Sequence, residues 1–142
     1  MIYVHIPFCR SFCTYCDFYS EIASASCRGR ESLDRFARAL EKEVELRSGE
    51  IRNNLLDHKT ADTLYIGGGT PSVLPLSVLE SLLDALHKAG VGKSFKEFTV
   101  EVNPDDIVEK GHSYVEGLLK LGVNRISMGI QSFDDGILKW MN

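Results

Sequence analysis

Short apolar runs alternate with longer amphipathic stretches along this chain, and the alternation limits the possible folds more than any other feature. Four runs rich in β-branched or alternating apolar residues predict strands at residues 2–6, 63–66, 97–102 and 125–130. The stretches between them carry apolar side chains at three- and four-residue spacing, which predicts helices. A β-α-β-α order of this kind predicts an α/β fold with a parallel sheet and right-handed crossovers.

The ends of the helices can also be predicted. The first helix is expected to begin after an N-cap at Ser32, and its apolar spacing continues to Leu55. The second should end near Gly90, and a short third helix should end at Gly122. Asp134 is expected to cap a fourth helix. The expected loops are residues 17–30 and 53–62.

Composition and charge exclude several classes of protein. The chain has 142 residues, 44% hydrophobic and 25% charged, as expected of one globular domain. Its net charge of −4 argues against a general nucleic-acid or membrane-surface binder, because such proteins usually carry a basic patch. No run approaches the roughly 20 apolar residues of a membrane span, and the first residues lack the features of a signal peptide. We therefore expect a cytoplasmic protein.

Three of the four cysteines, Cys9, Cys13 and Cys16, fall within eight residues. In a reducing compartment such a group indicates a metal site more often than a disulfide framework. Thiolates are the ligands of iron–sulfur clusters, and one loop with the spacing Cys-x3-Cys-x2-Cys can hold a [4Fe–4S] cluster and leave one iron open. The alternatives are a zinc site completed by His5 or Cys27, and three unligated thiols. Taken alone, Cys27 is expected to be a free or buried thiol.

The other unusual residues also follow predicted strands. The sequence Gly67-Gly68-Gly69-Thr70-Pro71 follows the second strand, Glu101-Val102-Asn103-Pro104 ends the third, and Gln131-Ser132-Phe133 follows the fourth. Ligands bind at the carboxyl ends of parallel strands, so these residues and the cysteines are expected to face one cleft. Taken singly, the glycine-rich segment could be a tight turn, Glu101 a solvated strand end and Gln131 a polar cap. No role is assigned to the histidines.

The cysteine motif, with the aromatic Tyr15 before its last cysteine, resembles the signature of the radical S-adenosylmethionine (SAM) superfamily. Longer segments resemble one branch of that superfamily, which contains oxygen-independent coproporphyrinogen III oxidases (HemN) and haem chaperones (HemW). These segments are residues 3–9, 16–18, 67–72, 101–104 and 124–133. The resemblance covers nearly the whole chain.

The resemblance implies a role for each motif. Cys9, Cys13 and Cys16 would hold three irons of a [4Fe–4S] cluster, and SAM would chelate the fourth. The positions that match SAM contacts in this branch are Tyr3, Gly68, Gly69, Thr70, Glu101 and Gln131, with the backbone of Tyr15 near the adenine. An electron from the reduced cluster would cleave SAM to methionine and a 5′-deoxyadenosyl radical.

Within this branch the resemblance favours the haem chaperone. The oxidase carries a further cysteine two residues after the third, where this chain has Phe18. A chaperone role implies haem as a ligand, with an electron donor and a haem-accepting client protein as partners. Oxidative decarboxylation of coproporphyrinogen III to protoporphyrinogen IX is the alternative, and a non-catalytic cluster- or zinc-binding module is a third. Whether the chain acts as an enzyme stays open.

The resemblance also implies a larger architecture. Residues 1–142 would form the four N-terminal βα units of a partial (β/α)6 TIM-like barrel, without its later strands and C-terminal domain. A sheet interrupted at this point ends on an exposed edge, which favours association. We expect the isolated chain to self-associate, to bind SAM weakly and to complete no reaction.

Overall fold

Strands and helices alternate in the computed structural model, which describes residues 1–23, 27–58 and 62–141. The side chains of residues 27, 28 and 56–58, including those of Cys27 and His58, lie outside the description. The strands are β1 (Ile2–Ile6), β2 (Phe8–Cys9), β3 (Glu21–Ile22), β4 (Thr63–Gly68), β5 (Glu97–Val102) and β6 (Arg125–Met128). The helices are α1 (Cys27–Leu46), α2 (Ser48–His58), α3 (Leu76–Lys88), α4 (Pro104–Lys120) and α5 (Asp135–Met141).

Four strands form one parallel sheet in the order β1-β4-β5-β6. The register aligns apolar positions across it, with Val4 opposite Ile66, Ile66 opposite Val100, and Val100 opposite Ile126. The first three are buried, and Ile126 on the edge strand β6 is exposed. Consecutive parallel strands need a crossover, and the helices between them supply it. The predicted α/β fold with a parallel sheet is therefore confirmed.

The core lies between this sheet and its helices. Ile66 and Val100 are fully buried on the two central strands, and Ile6 is fully buried at the end of the edge strand β1. Helix α3 covers it with four leucines at helical spacing, Leu79, Leu82, Leu83 and Leu86. Burying one such side chain contributes about 2 kcal/mol to the stability of the fold, so the packing of α3 on the sheet is a main source of that stability.

A second, two-stranded sheet was not predicted. Strands β2 and β3 pair in parallel, with Phe8 opposite Glu21 and Cys9 opposite Ile22. Backbone bonds from Glu21 N–H to the Pro7 carbonyl (2.6 Å) and from Ala23 N–H to the Cys9 carbonyl (2.8 Å) close the segment. Residues 10–20 therefore form a loop whose two ends are held together.

The predicted first helix is wrong at both ends. Helix α1 begins at Cys27, so Ser32 lies inside it, and helix α2 occupies most of the expected loop at 53–62. The two helices meet at Arg47, which pairs with Glu43 (3.2 Å) and Glu50 (3.0 Å) on either side. The apolar side chains of α2 that pack on the core outweigh the loop preference of its asparagines.

The later elements agree better with the sequence. Helix α4 is longer than expected because Asn103 caps it, accepting a bond from Asp105 N–H at 2.8 Å, and the helix kinks at Gly111. Strand β6 ends at Met128 because Ile130 N–H turns back to the Met128 carbonyl. The Asp134 cap is present, accepting from Ile137 N–H at 2.9 Å. Among the described residues, no helix has the length and apolarity to cross a membrane.

Candidate functional site

The cysteine loop and the glycine-rich turn meet at the carboxyl edge of the sheet. Gly69 N–H donates to the Ile6 carbonyl at 2.7 Å, and Thr70 N–H donates to the Phe8 carbonyl at 2.6 Å. The Thr70 hydroxyl lies 3.6 Å from Cys9 Sγ. The turn after β4 is therefore bonded directly to the start of the cysteine loop.

The three thiols of the loop lie near Tyr15. Cys9 and Cys13 are partly buried and Cys16 is exposed, and Cys16 N–H closes a turn onto the Cys13 carbonyl at 3.2 Å. Burial raises the pKa of Tyr15, and so do its hydrogen bond with Cys13 and the charges of Cys13, Cys16 and Cys9. All three thiols are thus near one aromatic ring.

Zinc and a [4Fe–4S] cluster require different arrangements of these three thiols. Within residues 1–23, 27–58 and 62–141, no three His, Cys, Asp or Glu side chains form a group that could hold a single ion. A zinc ion draws its thiolates to about 2.3 Å from one point. A [4Fe–4S] cluster takes each thiolate on a different iron, so its ligands stand around a volume. The spacing Cys-x3-Cys-x2-Cys within one loop suits the cluster, because each thiolate would bind a different iron.

The glycine-rich turn forms a cradle that side chains would fill. Gly68 has φ +118°, a left-handed conformation that favours glycine, and a Cβ there would lie 2.7 Å from the His5 ring. A Cβ on Gly69 would lie 2.6 Å from the Phe8 carbonyl oxygen and 2.9 Å from Cys9 Sγ. Only the absence of side chains lets this turn lie so close to the cysteine.

Glu101 points into the same cradle from β5. Its carboxylate accepts from the Tyr65 hydroxyl at 2.6 Å and from Gly68 N–H at 3.0 Å. The hydrogen bond to Glu101 raises the pKa of Tyr65, with burial as the second cause. Glu101 is partly buried, so this carboxylate is a fixed acceptor and not a freely solvated strand end.

Tyr3 and His5 complete one side of the site from β1. The Tyr3 hydroxyl and His5 Nδ1 are 2.9 Å apart, and the rings of Tyr3 and Tyr65 are 6.0 Å apart. Burial raises the pKa of Tyr3, and the charge of Glu101 adds to the effect. From the sequence, His5 was considered only as an alternative ligand for zinc. Its position two residues after Tyr3 on a strand was the available signal, because such residues share a face.

Gln131 lies further out on the same edge. It follows β6, is exposed, and has φ +64°, an uncommon backbone conformation for a residue with a side chain. A Cβ on Gly129 would lie 2.8 Å from the Gln131 amide nitrogen, so the side chain folds back over its own turn. Gln131 is thus exposed on the turn after β6.

An ionic network centred on the buried Asp106 lies beside the cysteine loop and was not predicted from the sequence. Arg10 Nε donates to Asp106 at 2.5 Å, and Arg10 Nη1 donates to Glu109 at 2.6 Å. Asp106 is fully buried at the start of α4 and also accepts from the Ser72 hydroxyl. Lys110 donates to the Leu74 carbonyl at 3.2 Å and to the Ser72 carbonyl. In the sequence, Asp106 is only an acidic residue in the first turn of a helix, where the helix dipole favours one.

A large groove lies away from the thiols. It has a volume of about 720 Å³ and runs between β1 and helices α1 and α2, with Val4, Phe36 and Leu40 among its lining. Tyr3 and His5 also line it, so the strand that carries them borders both the groove and the site. The cysteines do not line this groove, so its size carries no weight for the candidate site.

The fold and the site together define a class of protein. Its members have an α/β fold with a parallel sheet, and a three-thiol loop and a glycine cradle lie at the carboxyl edge of that sheet. The model of the Radical SAM superfamily matches residues 3–142, and the chain belongs to that superfamily. At the level of the superfamily, membership implies a [4Fe–4S] cluster and SAM.

The relatives lie in one branch of that superfamily. The chain is 38% identical over 137 residues to the haem chaperone HemW of Lactococcus lactis and 36% identical over 141 residues to that of Bacillus subtilis. It covers 32% and 33% of those proteins, while 96% of the chain is matched. Coproporphyrinogen III oxidase (HemN) from Escherichia coli, described as a radical SAM enzyme, has a similar structure, with a TM-score of 0.81 and 29% identity. That match covers 99% of the chain and 30% of the oxidase. The chain thus spans about a third of the length of its relatives.

Proposed function

We propose that the chain binds a [4Fe–4S] cluster through Cys9, Cys13 and Cys16, with SAM beside it, as part of a HemW-like haem chaperone. The observation that carries this proposal is the direct bonding of the glycine-rich turn to the cysteine loop, with Thr70 in contact with Cys9. The proposed SAM contacts are Tyr3, Tyr15, Gly68, Gly69, Thr70, Glu101 and Gln131.

The residues around the thiols suit a polar ligand with hydroxyl groups. Glu101 is an acceptor whose orientation Tyr65 and Gly68 fix, and carboxylates accept hydrogen bonds from ribose hydroxyls. The glycine cradle lets the backbone approach a ligand closely. Half-exposed Tyr3 offers an aromatic face beside the cradle. When bound and reduced, the cluster would supply the electron that cleaves SAM.

The chaperone assignment rests on relatives and on one position. The HemW proteins of Lactococcus lactis and Bacillus subtilis are named haem chaperones, and Phe18 stands where the oxidase branch carries a further cysteine. We therefore propose haem as a ligand, with a haem-accepting client and an electron donor as partners, in the cytoplasm. The structural likeness to coproporphyrinogen III oxidase keeps that oxidation as the second candidate. Haem titration followed by transfer to an apo-haemoprotein supports the first, whereas consumption of coproporphyrinogen III supports the second.

A non-catalytic cluster- or zinc-binding module is the candidate from another class. The chain is expected to complete no reaction by itself, because the proposed domain at residues 1–142 is only the N-terminal part of a barrel. Elemental analysis distinguishes the metals, since a cluster gives about four irons per chain and a zinc site gives one zinc. Formation of 5′-deoxyadenosine after reduction distinguishes SAM cleavage from a passive carrier.

The test of the cluster is anaerobic reconstitution with iron and sulfide, followed by EPR of the reduced protein with and without SAM. A four-iron signal that changes shape on adding SAM is expected, because the iron without a protein ligand would take SAM. The variant Cys13→Ala should abolish the signal. Cys27→Ala is the matched control and should retain it. Uptake of zinc alone, or the same signal in Cys13→Ala, contradicts the proposal.

A further inference from the structure

One buried carboxylate connects the three loops that form the site. Asp106 is fully buried, and it accepts hydrogen bonds from Arg10 in the cysteine loop and from Ser72, just after the glycine-rich turn. The Ser72 hydroxyl in turn accepts from Asn103 N–H at 3.0 Å, at the end of β5. Elements from three successive βα units thus converge on a single side chain.

Each contact lies next to a proposed ligand-binding residue. Arg10 directly follows Cys9, Ser72 comes two residues after Thr70, and Asn103 comes two residues after Glu101. The two members of each pair are only one or two residues apart, so a displacement of one moves the other. A shift at Asp106 therefore reaches the thiol, the turn and the carboxylate together.

Physical chemistry explains why this carboxylate holds the loops firmly. A buried charge is tolerated only when it is paired and its oxygens accept hydrogen bonds. Arg10 supplies the opposite charge and Ser72 supplies a second donor. Removing Arg10 takes away the hydrogen-bonded opposite charge and leaves Lys110 as the remaining cation near Asp106, whereas removing Ser72 takes away one donor. Because the complete network satisfies the buried carboxylate best, it favours one arrangement of the loops.

We propose that Asp106 is a positioning residue, which acts through Arg10 and Ser72 to align the cysteine loop with the SAM-binding turn and Glu101. This inference deepens the proposed function and rests on it. Neither Asp106 nor Arg10 touches the cluster or SAM in this proposal. Their effect is to fix the position of the cysteine loop relative to the glycine-rich turn and Glu101.

The first test uses the protein without iron. Arg10→Gln keeps a polar side chain of similar length but removes the charge that pairs with Asp106. Amide hydrogen exchange across residues 9–16 should accelerate by about tenfold in this variant. Glu109→Gln is the matched control, because Glu109 is the exposed partner of the same guanidinium and should change the rate by less than about twofold. Unchanged exchange in Arg10→Gln overturns the proposal whether or not the chain takes up iron.

The second test uses the reconstituted protein. We expect Arg10→Gln to keep its iron content but to need about tenfold more SAM to change the EPR signal, because second-sphere changes commonly weaken binding by 10–100-fold. Arg10→Lys should recover part of this loss, since its ammonium can still pair with Asp106. A purely structural role predicts a loss of iron and of folded protein without a selective change in SAM affinity, and that result overturns the proposal.

A third variant addresses the carboxylate itself. Asp106→Asn should accelerate hydrogen exchange at residues 9–16 and also in the turn that carries Ser72. Arg10→Gln should accelerate exchange mainly at residues 9–16. Exchange in helix α3 serves as the internal measure of folding. If the Asp106→Asn protein is folded and its hydrogen exchange is faster only at the start of α4, the proposal is contradicted. A wild-type chain with no four-iron signal but with the expected exchange differences instead refutes the proposed function and leaves the positioning role standing.

Discussion

Tyr65 on β4 donates a hydrogen bond of 2.6 Å to Glu101 on the neighbouring strand β5. The other oxygen of the same carboxylate accepts from Gly68 N–H at 3.0 Å. Both donors come from β4 and its end, so the carboxylate is oriented by the adjacent strand before any ligand arrives. Such preorganisation lowers the cost of ordering the site on binding.

The first prediction is that Tyr65→Phe weakens SAM binding by about tenfold. A hydrogen bond to a charged group is worth about 1.5 kcal/mol, and the variant leaves the Glu101 carboxylate less restrained. Anaerobic calorimetry with the reconstituted protein measures the effect. Tyr19→Phe is the control, because Tyr19 makes a similar 2.7 Å bond on the surface, to Glu21 and not to Glu101. Equal affinities in the two variants would show that Tyr65 does not orient the site.

The second prediction concerns the close approach of Gly69 to Cys9. In Gly69→Ala the new methyl group would lie 2.6 Å from the Phe8 carbonyl oxygen and 2.9 Å from the thiol sulfur. The turn must move away from the cysteine, so we expect iron to be bound about tenfold more weakly. Competition with an iron chelator gives the measurement. Gly92→Ala, where no atom lies within 4 Å of the new methyl, should behave as wild type.

The third prediction is that Tyr114→Phe stabilises the fold. Within the described part of the chain, the buried Tyr114 hydroxyl has no hydrogen-bond partner. Its ring packs under Lys110, whose Nζ lies 4.6 Å from the ring centre, and phenylalanine preserves that contact. Removing an unsatisfied buried hydroxyl should raise the free energy of unfolding by about 1 kcal/mol. Urea unfolding tests this, and a loss of stability would indicate a partner for the hydroxyl.

The same residue predicts a dependence of stability on alkaline pH. Burial raises the pKa of Tyr114 to about 12 from its ordinary value of 10.0, and the charge of Asp106 adds to the shift. A raised pKa means that the folded state holds the proton more tightly than the unfolded state. The free energy of unfolding should therefore not change through this group below pH 10.0 and should fall as the pH rises from 10.0 towards about 12. Subtracting the unfolding curves of Tyr114→Phe isolates this contribution from that of the other tyrosines.

The fourth prediction is that removal of iron loosens the cysteine loop but leaves the main sheet folded. The centre of the sheet is made of fully buried apolar residues, whereas Cys16 is exposed and Cys9 and Cys13 are only partly buried. Chelation should accelerate hydrogen exchange in residues 10–20 and change exchange in β4 and β5 little. Exchange that rises equally in the loop and in the sheet would instead mean that the metal holds the whole fold.

Apolar runs were sufficient to predict the main sheet. Ile66 and Val100 lie in strands in which buried apolar residues recur at every second position, as Leu64 and Ile66 do in β4, and this burial dominates local preferences. Once the strands are known, their carboxyl ends locate the cysteines, the glycine-rich turn and Glu101. The α/β fold and the contacts of Gly69, Thr70 and Glu101 at one edge agree with that reasoning.

Features that depend on contacts between distant residues could not be predicted. Strands β2 and β3 are two residues long and carry no periodicity, so only their backbone bonds define them. The role of Asp106 depends on Arg10 and Ser72, which approach it only after the chain has folded. The helix boundary at Cys27 was missed because Ser32 is a good cap in isolation, and local preference did not decide where the helix starts.

The link between Arg10 and Asp106 also has a consequence for the order of events during synthesis. The two residues are 96 positions apart, so the contact cannot form until the third βα unit has been made. Closing so long a segment is slow and follows local structure. Until α4 docks, the newborn chain thus carries its thiols on a loop that β2 and β3 close but that no ion pair aligns with Asp106. Tight binding of SAM should therefore come only after that step.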